Sequence, residues 1–222
     1  MVAPFSDTAA DPAVLGYLHV PERSNGDGLV LTHGAGADCK TKLLIEMSEA
    51  LAAHGFLVLR FDLPFRLTRP HGPPSPVTAS RDRDALRRAA MLMKQEITGR
   101  VFLGGHSYGG RQATMLLAEE PHLVSGLFLL SYPLHPPRRL DQLRTSHFPK
   151  IGTPAFFVHG TRDPFGSTEE MRTALKLLGG PHALREVANA GHGLLPKTTG
   201  HALLQEIVEE FAQFQTEFAT ES

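Results

Sequence analysis

A single cysteine, Cys39, occurs in 222 residues. No disulfide can close within the chain, and a reducing, cytoplasmic setting is expected. Long apolar runs are missing too: none approaches the roughly 18 residues that a membrane-spanning helix needs. Met1 to Pro12 holds neither a basic nor an apolar stretch, so no secretory signal is expected. Neither sign of charge is in excess, since 22 Lys and Arg face 23 Asp and Glu. That balance argues against a nucleic-acid footprint and against an acidic tail. Arg81, Arg83, Arg87 and Arg88 crowd one segment, but Asp82 and Asp84 interleave, and the set reads as a solvated helix face. No H-E-x-x-H or Cys-rich ligand spacing occurs, so neither a metal nor another cofactor is expected.

What is present is alternation. Apolar runs that read as strands are Val14 to Val20 (an early edge strand, weakened by Gly16), Gly28 to Thr32, Phe56 to Phe61, Val101 to Leu103, Gly126 to Ser131, Pro154 to Val158 and Ala183 to Val187. Between them lie helical stripes. Leu44, Met47, Ala50 and Leu51 mark one that stops at Gly55. Leu86, Ala89, Ala90, Met93 and Ile97 mark another. Met171, Leu175 and Leu178 precede Gly179-Gly180, and Leu204 to Phe218 forms the last stripe. A Pro-rich loop, Asp62 to Val77, interrupts the series. The pattern predicts one α/β domain over residues 1–222, with a mostly parallel twisted sheet and helices on both faces.

The most specific string is Gly105-His106-Ser107-Tyr108-Gly109, which follows Val101-Phe102-Leu103 and opens a helix ending near Glu120. A G-x-S-x-G turn between strand and helix reads as a nucleophile elbow. The tight turn lifts the Ser107 hydroxyl off the sheet edge, and the flanking glycines let strand and helix approach. The helix N-terminus favours developing negative charge.

A serine hydroxyl needs a base, and the expected order after the serine is an acid, then histidine. Pro154 to Val158 ends in His159-Gly160-Thr161-Arg162-Asp163-Pro164, which puts Asp163 just beyond a strand's carboxyl end, where sites on open sheets form. Ala183 to Val187 runs into Ala188-Asn189-Ala190-Gly191-His192-Gly193. A histidine between two glycines gains no packing, so His192 reads as the general base. The other eleven histidines read as surface, capping or loop residues. In this scheme His192 takes the Ser107 proton and later protonates the leaving group, while Asp163 holds the imidazole tautomer. The oxyanion needs donors. One is the N–H of Tyr108. The second comes from the turn His33-Gly34-Ala35-Gly36-Ala37 after the third strand: Ala35 N–H, with Gly36 as the alternative. The His33 ring reads as a brace for that loop, and Asp62 as a structural acid bonding nearby N–H groups.

Two stiff segments, Asp62-Leu63-Pro64-Phe65-Arg66 and Tyr132-Pro133-Leu134-His135-Pro136-Pro137, leave strand ends and are expected to shape an open pocket. The stretch from Tyr132 to Thr153 is too short for a large cap domain. Taken in order, His33-Gly34-Ala35-Gly36, Phe61-Asp62-Leu63-Pro64-Phe65, Gly105 to Arg111, the Y-P-L-H-P-P string at Tyr132 and His159 to Gly166 resemble the compact α/β-hydrolase-like family related to a testis-expressed protein and to a regulatory subunit of a histone acetyltransferase complex. The chain is also similar to dienelactone-hydrolase-type folds. The resemblance spans about Leu29 to His192 and implies the α/β-hydrolase fold without a large cap. Dienelactone-type enzymes commonly use cysteine as nucleophile, whereas this chain has Ser107. Three functions are therefore open. One is a serine hydrolase acting on small-molecule carboxylic esters, without nucleic-acid or membrane partners. The second is a non-catalytic interaction module, and the third is a thioesterase or peptidase. The oligomeric state is not read from the sequence.

Overall fold

The computed structural model describes residues 1–195 and 200–218. Eight strands form one sheet: β1 Val2–Asp7, β2 Val14–His19, β3 Gly28–Thr32, β4 Leu57–Phe61, β5 Val101–His106, β6 Gly126–Leu130, β7 Ala155–Gly160 and β8 His182–Val187. Their spatial order is β1-β2-β4-β3-β5-β6-β7-β8. The pairs β1–β2 and β2–β4 are antiparallel, and every other pair is parallel. Among the described residues six α-helices accompany them: α1 Lys42–Ala53, α2 Pro64–Thr68, α3 Ala79–Glu96, α4 Tyr108–Glu119, α5 Thr168–Leu175 and α6 Gly200–Glu217.

The central strands are apolar on both faces because helices cover both. Alternate residues point to opposite sides. Val30, Leu103, Leu129 and Phe157 pack with Leu86 and Ala89 of α3, Ala113 and Leu116 of α4 and Met171 of α5. Leu29, Phe102, Phe128 and Phe156 pack with Leu44 and Met47 of α1 and Ile207 and Phe211 of α6. Among the described residues no helix is long and apolar enough to cross a membrane.

Three differences from the sequence reading stand out. Val14–His19 is not the edge; β1 lies outside it. The alternation of exposed and half-buried residues in β1, with Pro4 among them, is what an edge strand tolerates, and it leaves no apolar run to read. Gly16 is not a weakness in β2, because a Cβ there would stand 2.1 Å from the Arg60 carbonyl oxygen. The Pro-rich loop is also not wholly irregular, since Pro64 starts the short helix α2, a position proline favours.

The chain enters β3, crosses through α1 to β4 on one side, and returns through α3 to β5 on the other. Strand order thus reverses around β3. Loops leaving the carboxyl ends of β3 and β5 separate there, and such switch points are where open sheets form their crevices.

Candidate active site

Ser107 stands between the end of β5 and the start of α4 in a strained conformation, with φ 52° and ψ −112°. The strain persists only where surroundings enforce it. A Cβ on Gly105 would stand 2.8 Å from the Thr32 carbonyl oxygen, and one on Gly109 would stand 2.2 Å from Thr32 Oγ1. Only glycines at both places let α4 close on β3. Ser107 N–H donates to the Leu130 carbonyl (2.8 Å), and Gly109 N–H donates to that of His33 (3.1 Å).

Asp163 and His192 converge on this turn from the β7 and β8 loops. His192 Nδ1 lies 2.8 Å from Asp163 Oδ2, and His192 Nε2 lies 2.8 Å from Ser107 Oγ. An ionised carboxylate only accepts, so Nδ1 carries the proton and Nε2 is left to accept from the serine hydroxyl. Asp163 is held by its own loop, because Phe165 N–H donates to its Oδ1 (2.9 Å). The Phe165 ring lies against the His192 ring, with centroids 4.3 Å apart. All three residues named from sequence are therefore brought together.

His106 supplies a fourth contact that sequence reasoning missed. Its Nε2–H donates to the His192 carbonyl at 2.8 Å, tying the β8 loop to the elbow. Burial holds its pKa down to about 4, so it stays neutral and keeps that role at ordinary pH. Its position inside G-x-S-x-G was the available signal.

The turn after β3 carries Ala35 and Gly36. Among the described residues, the N–H groups of Ala35, Gly36 and Tyr108 make no intramolecular hydrogen bond. His33 is fully buried beneath the turn. Leu63 N–H donates to its Nε2 (3.1 Å), which fixes Nδ1 as the donor to the Gly34 carbonyl (2.9 Å). Burial lowers its pKa, in keeping with a neutral loop brace. Asp62 accepts from Cys39 N–H at 2.7 Å, a structural acid. Burial, with Asp62 beside it, pushes the Cys39 thiol up to about 12, so this cysteine is no nucleophile at neutral pH.

Arg66, unremarkable in sequence, organises the rim. Its five N–H donors reach five carbonyls: Ala35, Ala37, Arg69, Pro70 and Gly72, at 2.7 to 3.2 Å. Asp82 is a second omission and a correction. It is not solvated but 0 % exposed, and it accepts from Phe65 N–H (3.1 Å) and from the Tyr108 hydroxyl (2.7 Å). Burial raises its pKa despite those donors. It shares a face with Leu86, Ala89 and Met93, the spacing that would have revealed it. Arg83 and Arg88 are also drawn inward, to Glu119 and Asp7. Likewise, His19 and His159 are buried strand residues rather than surface, capping or loop groups.

The cavity over Ser107 measures about 470 Å³. Its walls are the Gly34–Ala37 turn, Pro73, Pro74, Arg111, Pro133, Arg144 and Phe165. Pro133 comes from the Y-P-L-H-P-P segment as expected. The other wall comes from Pro73 and Pro74, while Leu63 to Arg66 lie buried beneath. Among the described residues no group of three or more His, Cys, Asp or Glu is placed to hold a metal ion.

A sheet with a strained serine turn after β5, an acid after β7 and a histidine after β8 defines the class: an α/β-hydrolase-type fold, here without a large cap. A family model described as an alpha/beta hydrolase domain matches residues 25–220, and the chain belongs to that family. Solved structures share the fold at low identity. Est1E from Butyrivibrio proteoclasticus is 17 % identical, with a TM-score of 0.75 over 96 % of this chain and 99 % of that one. A dienelactone hydrolase from Anabaena variabilis is 20 % identical, with a TM-score of 0.75 over 96 % and 97 %. XC6422 from Xanthomonas campestris, described as a serine hydrolase without lid, is 16 % identical, with a TM-score of 0.72 over 100 % and 96 %.

Proposed function

We propose that this protein is a serine hydrolase that cleaves small carboxylic esters. The observation that carries the reading is the unbroken hydrogen-bond chain from Asp163 through His192 to Ser107, at 2.8 Å in each link. Ser107 Oγ attacks the ester carbonyl carbon as its proton passes to His192 Nε2. Asp163 stabilises the imidazolium and keeps Nδ1 protonated. The oxyanion is received by Tyr108 N–H together with Ala35 N–H, or Gly36 N–H in its place, all three of which lack internal acceptors. Collapse transfers the His192 proton to the departing alkoxide and leaves an acyl-serine. Water, deprotonated by His192, attacks the acyl carbon, releasing the carboxylic acid and restoring Ser107.

The cavity over Ser107 argues against a purely non-catalytic module, because the proline-rich segments line the cleft without closing it. Among the described residues no second unit stands over the cleft to grip a peptide. We further infer a cytoplasmic setting from the lone cysteine, and kinship with the group of the testis-expressed protein and the acetyltransferase subunit from the shared strings. The test is hydrolysis of p-nitrophenyl esters by the purified protein beside Ser107→Ala. Turnover should fall by about 10⁶ in the variant if a well-studied protease is a guide. Equal turnover in both proteins would reject the assignment.

A further inference from the structure

Two arginines, Arg111 and Arg144, line the pocket over Ser107, and its lining includes no Asp or Glu. Arg111 stands one helical turn beyond Ser107 on α4, so the two side chains share a face. Its Nε is buried and makes no hydrogen bond, and among the described residues no carboxylate pairs with it. Arg144 donates only from Nη1 to the Pro133 carbonyl, at 3.2 Å. Its backbone is fixed, since its N–H donates to the Leu134 carbonyl (2.8 Å) and its carbonyl accepts from the buried Tyr132 hydroxyl (2.7 Å).

Other shielded arginines are satisfied: the buried Arg60 donates to His19 Nε2 and the Cys39 carbonyl and lies over the Tyr17 ring. The half-buried Arg83, Arg88, Arg100 and Arg185 each face a carboxylate, and Arg66 spends all five donors on carbonyls. A partly desolvated cation without a partner is costly, and two in one cavity more so. Burial first, and the neighbouring Arg111 second, lower the pKa of Arg144. Guanidinium groups match the planar, paired oxygens of carboxylates and phosphates.

Resting on the esterase reading, we propose that the preferred substrate is an ester bearing an anionic oxo group, a carboxylate or a phosphate, which Arg111 and Arg144 bind while Ser107 attacks the ester carbonyl. A cavity of about 470 Å³ suits a small molecule of this kind.

The test compares mono-p-nitrophenyl glutarate with p-nitrophenyl valerate, which has as many acyl carbons but no charge. The wild-type protein should favour the glutarate by about tenfold or more in kcat/KM, chiefly through KM and less so in high salt. Arg111→Gln and Arg144→Gln should each lose about tenfold more on the glutarate than on the valerate, and Arg111→Lys should restore part of the difference. A second readout needs no turnover. In the Ser107→Ala protein, millimolar glutarate or inorganic phosphate should raise Tm, and adding Arg111→Gln should abolish the rise. Whichever ion acts identifies the anionic class. If both esters are cleaved equally and neither ion raises Tm, the anion site is overturned while the esterase reading stands. If neither ester is cleaved but an ion raises Tm through Arg111, the anion site stands and the esterase reading falls.

Discussion

Two polar networks meet beneath the pocket, and they are built on opposite principles. The reacting chain, Asp163–His192–Ser107, has one hydrogen bond per link and ends at the serine on a cavity. The bracing network has no free end. Arg66 uses every donor on a loop carbonyl, His33 joins Leu63 N–H to the Gly34 carbonyl, and Asp82 joins Phe65 N–H to the Tyr108 hydroxyl. Its members are buried and neutral, or fully satisfied. The difference separates chemistry from geometry. A residue of the first network is worth rate and little stability, whereas a residue of the second is worth stability and affects rate only by moving a donor.

That contrast is sharpest where rate alone should fail. Asp163→Asn should cut kcat on the order of 10⁴-fold, because the amide inverts the hydrogen bond that sets the His192 tautomer. Thermal melts of the variant should stay close to wild type. Arg66→Ala should reverse the pattern. It strands five carbonyls, and a loss of about 3 kcal/mol in denaturant unfolding is expected. A fall of about tenfold to a hundredfold in kcat should accompany it as the Ala35 turn relaxes.

Acid should act on the fold through its buried histidines. His19, His106 and His147 have folded pKa values held down to about 4, first by burial. The unfolded chain protonates them near 6.5. Stability should therefore be full above pH 6.5 and fall as pH drops toward 4, since the unfolded state binds protons that the native state refuses. Asp82 acts in the opposite sense, its folded pKa being raised, but it is one group against three. Urea midpoints measured across that range check the slope. A flat profile would mean these rings are already charged in the fold.

The smallest effect should come from Tyr108→Phe. The hydroxyl bond to Asp82 is lost, at about 1 kcal/mol, while the backbone N–H of residue 108 stays in place. Turnover within about threefold of wild type would separate the ring from the donor. A collapse in kcat would show that the Asp82 contact controls the elbow.

Much of this was legible in the chain. Ser107 and His192 announce themselves because glycines flank them just after apolar runs, a pattern that has no packing rationale. Asp163 follows its strand at the same edge. The central strands and the helical stripes were readable from period alone. The bracing residues were not, for a physical reason. The carbonyls that Arg66 satisfies belong to residues 35, 37, 69, 70 and 72, and no local pattern shows that a turn 30 residues earlier will fold against it. Asp82 sat in view, at helical spacing from Leu86, Ala89 and Met93, but its charged neighbours disguised it. The edge strand β1 carries no apolar run and becomes visible only through its pairing with β2.

The central claim is that Ser107 is an activated nucleophile open to the pocket. Incubating the folded protein with a fluorophosphonate probe, and mapping the adduct by mass spectrometry, tests it directly. A single adduct on Ser107, lost in Ser107→Ala and strongly slowed in Asp163→Asn, is the predicted result. No labelling of the native protein, or labelling that Asp163→Asn leaves at full rate, would contradict it.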